Sequence, residues 1–244
     1  MLSKIRATPL RSDFLRSFTS PVPARLDKAN DNRRSGSHVS SGVSSIFKIV
    51  MDRIGALCAL TLLSPVFLAL AMIVKRDGGP AFYSQRRIGQ NGRPFKCWKF
   101  RSMVTNSAEV LSNLLENSAE ARDEWERDFK LKDDPRITRI GAFLRKTSLD
   151  ELPQLWNVLV GEMSLVGPRP VTEPELKYYG EQVKDYYAAR PGMTGLWQVS
   201  GRNDVSYAER VALDSYYVHN WSLLKDVGIM FKTVGVVLQK RGAY

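Results

Sequence analysis

The sequence predicts an α+β chain: a mostly helical small domain with one short β-hairpin, anchored by an N-terminal re-entrant membrane helix broken at Ser64-Pro65. Three observations lead there. Ile54 to Val74 runs 21 positions without a charge. Two β-like segments flank the turn pair Asn91-Gly92. From Asn106 onward, apolar residues recur mainly at helical spacing.

Taken in order, residues 1 to about 45 are rich in Ser, Arg and Asn and sustain no apolar period. They read as a disordered basic arm, either a solvated tail or a membrane-surface contact. Residues 46–76 hold the apolar run. About 20 apolar residues suffice to cross a bilayer as a helix. The run starts too late and is too long for a cleavable signal peptide, and Met-Ile-Val follows the cleavage-like Ala69-Leu70-Ala71. Lys48 and Arg53 stand at its start, Lys75 and Arg76 at its end. Basic residues prefer the cytoplasmic side, so a straight crossing puts one pair on the wrong side. Pro65 removes a helical hydrogen bond near the middle. A helix broken at Ser64-Pro65 that enters and leaves on one face satisfies both facts. A spanning helix with a tolerated kink is the alternative, and the residues alone leave the two open.

Arg76–Pro80 breaks the chain. "AFYSQRRIG" and "PFKCWKFRSM" read as strands, with Asn91-Gly92 as a hairpin turn. Asn106 to Phe129 reads as one charged helical stretch with Leu111, Leu114 and Leu115 on its apolar face, stopped by "DDPR". "ITRIGAFLRKTS" and "LPQLWNVLVGEM" read as helices, "LVGPRP" as a loop and "ELKYYGEQVKDYYAA" as a helix. "RPGMTGLWQVSGR" reads as a Gly-rich loop with a short strand, and two helices follow from Val205. The last aligns Leu223, Leu224, Val227, Met230, Phe231, Val234, Val237 and Leu238 on one face, expected to pack on the core rather than lie in a membrane interface.

A net charge of +11 over 244 residues points to nucleic acid, an anionic membrane surface or phosphorylated substrates. Cys58 and Cys97 suggest neither a disulfide framework nor a zinc site, and a reducing compartment fits. Two histidines, His38 and His219, are too few for a His-rich metal site. His219 reads as a structural helix-end residue.

The adjacent acids Asp150 and Glu151 lie between Arg145-Lys146 and a proline-marked apolar run. Ser148 and Glu151 form the S-x-x-E pattern of a capping box; alternatively Pro153 is the first helical residue. Either way the acids sit near a helix N-terminus. Around them "RRIGQNGRP", "VGPRPV" and "RPGMTGLWQVSGR" combine Gly, Pro and Arg in loops that suit phosphate, with Arg169, Arg190 and Arg202 as candidate contacts. Carboxylates repel phosphates unless a divalent cation bridges them. Asp150 and Glu151 are therefore candidate Mg²⁺ ligands completed by substrate phosphates. A carboxylate can also attack phosphorus. The helix end and Arg145 are expected to keep Asp150 ionised for that role. Trp197 is the best sugar or uridine platform among the tryptophans. Arg86 and Arg87 face either headgroups or solvent.

"KFRSM" (Lys99–Met103), "DDPRITRIGAFLRKTSLDELPQLWNVLVGEMSLVGPRP" (Asp133–Pro170) and "RPGMTGLWQVSGR" (Arg190–Arg202) resemble the bacterial sugar transferases, the monotopic phosphoglycosyl transferases. The resemblance runs from Ile46 to Tyr244. "SGRNDVSYAERVALDSYYVHNWSLLKD" and the final "RGAY" are most similar to the ExoY-type undecaprenyl-phosphate galactosephosphotransferase branch. It implies a re-entrant helix broken at Ser64-Pro65 and a catalytic domain over 77–244 on the cytoplasmic face of a bacterial inner membrane. It implies transfer of a hexose 1-phosphate, galactose before glucose, from a UDP-sugar to undecaprenyl phosphate with release of UMP. Asp150 would be the nucleophile of a ping-pong reaction, and Glu151 would hold Mg²⁺ or assist proton transfer. Arg145, Arg169 and Lys99 would contact phosphate. Anionic lipids are expected partners and nucleic acid is not; a homo-oligomer is open. The rival reading, a non-catalytic membrane-attached interaction protein, fits the basic charge but leaves the acid pair among Gly-Pro-Arg loops unexplained.

Overall fold

A computed structural model describes residues 42–128, 131–201 and 205–238. The expected basic arm, 1 to about 45, lies outside them except for its last four residues, which already belong to a helix. That helix, α1 (Gly42–Leu62), is followed after one residue by α2 (Ser64–Val74), and the pair is bent by 64°. The bend follows from local chemistry. Pro65 has no N–H for the Thr61 carbonyl four residues back. The Ser64 hydroxyl donates to that carbonyl instead, at 2.8 Å. No single described helix is long and apolar enough to cross a membrane; the bent pair passes by length and composition together.

The outer side of α1 shows Ile46, Phe47, Val50, Ile54 and Leu57 to the surroundings. Its inner side carries Lys48, Asp52 and Ala56. Lys48 Nζ lies 2.7 Å from Asp226 and 3.5 Å from Asp52, and both acids are buried. Ser164 donates to Asp52, while Tyr217 and Trp221 donate to Asp226. Charges taken from water are tolerated when paired and hydrogen-bonded in this way. The network fixes α1 onto the body of the domain.

The hairpin forms as expected: β1 (Phe82–Ile88) pairs antiparallel with β2 (Pro94–Phe100), with Phe82 opposite Phe100. Asn91 and Gly92 both adopt positive φ, 57° and 72°, as a tight hairpin turn of this hand requires. The single helical stretch expected over 106–129 is instead two helices, α3 (Ser107–Asn117) and α4 (Ala119–Asp128). Ser118 separates them because its backbone turns extended and its hydroxyl accepts from the Ala121 N–H, an N-cap inside the helical pattern.

Next come α5 (Arg139–Thr147), a 3₁₀ turn Leu149–Glu151 and α6 (Gln154–Val160). Part of the expected loop "LVGPRP" is a strand, β3 (Ser164–Val166), parallel to β4 (Gly192–Thr194). "ELKYYGEQVKDYYAA" gives two 3₁₀ turns and only a short α7 (Val183–Ala188), because Gly180 takes φ 50° and ends the first turn. The chain closes with α8 (Leu196–Ser200), α9 (Tyr207–His219) and α10 (Leu223–Leu238). The expected core-facing stripe of α10 is corrected: Leu224 is 85% and Phe231 76% exposed, with Val227 and Val234 beside them. Ile229 is buried on the opposite side instead, while Asp226 enters the Lys48 network.

Candidate active site

The site grows from one close approach. Gly141 on α5 sits so near the Ser102 carbonyl that a Cβ there would lie 1.9 Å from it. Only glycine lets α5 press onto the segment leaving β2. That contact brings Arg145, one turn on, to Ser102, where the guanidinium Nε donates to the hydroxyl at 2.9 Å. Ser148 then takes φ 57° and ends α5. The expected capping box does not form. Ser148 in the left-handed region offers its carbonyl, not its hydroxyl, to the Glu151 N–H at 3.3 Å. The acids therefore sit on a 3₁₀ turn, and α6 starts only at Gln154 after Pro153.

Glu151 turns its carboxylate to Lys99 on β2, at 2.6 Å. Register between them is held by Asn157 of α6, which is fully buried. Its Oδ1 accepts from the Trp98 N–H, and its Nδ2 donates to the Lys96 carbonyl and to Glu162. Asn157 acts as a substitute strand partner for β2. Only its polarity inside the apolar run "LPQLWNVLV" hints at this in the sequence.

Asp150 is 8% exposed and faces a cleft of about 1230 Å³. Among the described residues no side chain donates a hydrogen bond to its carboxylate. Burial pushes its pKa up to about 6; Glu151 adds to the rise, and Lys99 and Arg145 oppose it. The expected helix end and Arg145 do not bring its pKa below the ordinary carboxylate range: desolvation outweighs them, there is no long helix end, and Asp150 is ionised only above about pH 6. Burial alone would raise Glu151 too, but the Lys99 ammonium prevails and holds it below the usual range. Lys99 in turn is raised, because Glu151 and Asp150 outweigh its own burial. The two acids are thus pushed apart, the pattern found where neighbouring carboxyls take different roles.

Five of the expected site residues come together: Asp150, Glu151, Lys99, Arg145 and Arg169. Arg169 borders a small cavity on the Glu151 side, shared with Lys99 and Arg87. Arg190 does not line either cavity; the charged groups acting on it are Asp52 and Arg53 of α1. Arg202 lies outside the described residues. Arg87 is held by Glu175 and the Pro170 carbonyl, and Arg86 is exposed on the hairpin edge. His219 lies at the end of α9, 3.4 Å from Asp185. Trp197 lines the cleft but is only 6% exposed, with the Arg210 and Arg169 guanidiniums 4.2 and 5.8 Å from its ring centre. It is a shelf for cations rather than an open stacking platform. Ser102, Asn157 and Arg210 escape sequence reasoning, since their roles come from contacts 43, 59 to 61, and 13 residues distant.

The described residues contain no group of three or more His, Cys, Asp or Glu arranged to hold a metal. The acid pair offers two carboxylates, one of them engaged by Lys99.

Comparison with known proteins places these features in context. The family model described as bacterial sugar transferase matches residues 43–240. The chain is 60% identical over 211 residues, 86% of its length, to a UDP-galactose-lipid carrier transferase of Erwinia amylovora, of which it covers 44%. It is 58% identical over 82% of its length to an undecaprenyl-phosphate galactose phosphotransferase of Salmonella typhimurium, covering 42% of it. It is 54% identical over 83% of its length to the exopolysaccharide production protein ExoY of Sinorhizobium fredii, covering 90% of it. The chain thus spans less than half of the first two relatives and nearly all of the third.

Proposed function

The chain belongs to the bacterial sugar transferase family, and from that premise we propose that it transfers a hexose 1-phosphate from a UDP-sugar to undecaprenyl phosphate, releasing UMP. The observation that carries the proposal is Asp150. It is a buried carboxylate raised to about 6, facing a large cleft, with Lys99 and Arg145 as its nearest favourable charges.

At cytosolic pH such a group is mostly ionised yet more basic than an exposed aspartate, which suits attack on phosphorus. One Asp150 oxygen bonds to the sugar-bearing phosphorus as the bond to the UMP oxygen breaks, and UMP leaves with that electron pair. An oxygen of the lipid phosphate then attacks the same phosphorus. The bond to Asp150 breaks, giving the lipid diphosphosugar and the free carboxylate. Arg145, oriented by Ser102, and Arg169 across the dyad would neutralise phosphate charge during both steps. Mg²⁺ is part of the proposal. Two adjacent carboxylates fit that ion when substrate phosphates complete the shell, and Glu151 with Asp150 would hold it. It would supply charge neutralisation at the diphosphate.

The lipid acceptor places the reaction at a membrane. The apolar bent pair α1–α2 is proposed as a re-entrant anchor that keeps the dyad on the cytoplasmic face of a bacterial inner membrane. Anionic lipids would meet the basic residues at its ends. Galactose is proposed as the sugar because two of the relatives carry it in their names; glucose is the alternative.

The test uses purified full-length protein in detergent with Mg²⁺, undecaprenyl phosphate and a panel of UDP-sugars. UMP release is expected with UDP-galactose and lost in Asp150→Asn protein that melts like the wild type. No UMP from any donor refutes the proposal, and full activity in Asp150→Asn removes Asp150 as nucleophile.

A further inference from the structure

The cleft that holds Asp150 has two chemically different ends, carried by different elements. One is lined from the 101–107 segment, α3, α4 and α5 and presents Ser102, Arg136 and Arg145 beside Val104, Leu111 and Trp125. Arg136 is held there by a two-point ion pair with Asp134, and its guanidinium lies 5.0 Å from the Trp125 ring centre. The other is lined from α6, β3, β4, α8 and α10 and presents Leu155, Leu165, Met193, Val199, Met230 and Val236, with Trp197 and Gln198 of α8 beside them. Thr194 and Thr233 also line it, but their hydroxyls bond to each other at 2.7 Å and so fasten α10 to β4.

The apolar end is continuous with the packing of the bent helix pair. Leu165 and Met193 pack on the cluster formed with Ala56 of α1, which also takes in Leu63 and Phe67 at the bend. Leu165 approaches α1 so closely that a Cβ on Gly55 would lie 2.9 Å from it. One wall of this arm is therefore backed by α1, and the facing wall is α10.

A substrate made of a phosphate head and a long hydrocarbon tail must run away from Asp150 once its head is in place. A tail in the cationic arm would desolvate Arg136 and Arg145 without compensating them. A tail in the apolar arm loses water against matching surface. From this asymmetry, and resting on the transferase reading above, we infer that the arm between α1 and α10 is the seat of the first isoprene units of the lipid phosphate acceptor. The donor diphosphate takes the cationic arm. Met230 and Val236 are then positioning residues for the acceptor, Val236 on the side of α10 away from its exposed stripe and Met230 on the flank of that stripe, packed towards Ile229.

The two half-reactions allow a test that separates this inference from the reaction itself. Met230→Trp and Val236→Phe narrow the arm without adding charge. Full-length protein is mixed with UDP-sugar and Mg²⁺ alone, and the stoichiometric UMP burst reports the donor step. The acceptor KM is then measured for undecaprenyl phosphate and for geranyl phosphate, a ten-carbon isoprenyl phosphate. The expected result is a burst within twofold of wild type in at least one variant. In that variant the KM rises about tenfold or more for both acceptors, because geranyl phosphate carries the same first isoprene units. An unchanged KM for undecaprenyl phosphate overturns the inference. An unchanged KM for geranyl phosphate overturns it as well, and so does loss of the burst in both variants, which would place the donor in this arm. Absence of a burst in the wild type refutes the covalent intermediate of the transferase reading, and the acceptor KM values then decide the arm alone.

Discussion

Replacing Lys99 with Gln tests the electrostatics of the site through the pH dependence of the donor step. In the proposed mechanism Asp150 must be ionised to attack, so the rate should fall as pH drops through its pKa of about 6. Burial raises that value, and among the groups opposing it Lys99 is the largest. Removing the ammonium destabilises the ionised form, so the acid limb must move up. A close cation in a partly desolvated site is worth on the order of one pH unit or more. With a rise of about one unit, the ionised fraction at pH 6 falls from roughly one half to about one tenth, a loss near fivefold. At pH 8 both proteins are over about 90% ionised, and this part of the deficit disappears. Glu151 loses the same partner and rises too, so the limb belongs to the pair. The assay is kcat/KM for UMP release between pH 5 and 9. A uniform drop without movement of the limb would show that Lys99 only contacts substrate. A limb that moves to lower pH would refute the charge balance drawn for the dyad.

Gly141→Ala forces a methyl against the Ser102 carbonyl and should destabilise the protein by about 3 kcal/mol, with a larger fractional loss of UMP release than of folded protein, measured by thermal denaturation and burst kinetics. Asn157→Leu leaves the Trp98 N–H and the Lys96 carbonyl without their buried partner and should cost about 2–4 kcal/mol in denaturant titration; a cost below about 1 kcal/mol would refute its role as a strand substitute. In a Cys58→Ser background, which removes the exposed native thiol, cysteines at Ser44 and at Arg76 should both react with a membrane-impermeant reagent from the cytoplasmic side only. Labelling from opposite sides would restore a spanning helix.

What the sequence made legible is what depends on near neighbours. Pro65 announces a break because the missing N–H concerns a carbonyl only four residues away. Asn91-Gly92 announces the hairpin because two positive φ angles are a local demand. The acid pair and its arginine-bearing loops could likewise be read as one constellation. The failures share a different cause. Ser118 and Ser148 both follow helical patterns, and nothing nearby says that one caps the next helix while the other turns left-handed. Whether Glu151 meets Ser148 or Lys99 is settled across 52 residues by the pairing of β2 with the dyad turn. The outward stripe of α10 was open for a similar reason, since apolar spacing shows that one face is greasy and not which face meets the core. Asp226 decided it, because Lys48, Tyr217 and Trp221 draw that carboxylate inward.

The same balance bears on why a ping-pong enzyme would keep its nucleophile near a pKa of 6. Under the proposed mechanism Asp150 attacks in one half-reaction and departs in the next. Greater basicity helps attack and hinders departure. Burial alone would push the carboxyl higher and make it a poorer leaving group. Lys99 and Arg145 pull it back, and they also help the carboxylate depart by stabilising the charge it regains. Both cations are fixed by neutral or paired contacts, Arg145 through Ser102 and Lys99 through Glu151, so neither need abandon its place when phosphate arrives. On this account Glu151, besides its proposed part in holding Mg²⁺, serves Asp150 through Lys99. Glu151→Gln would loosen Lys99, remove a like charge and lower the Asp150 limb, whereas loss of a proton-transfer group would flatten the rate without moving it. The position of the limb in Glu151→Gln protein therefore separates service through Lys99 from the proton-transfer role expected for the second acid.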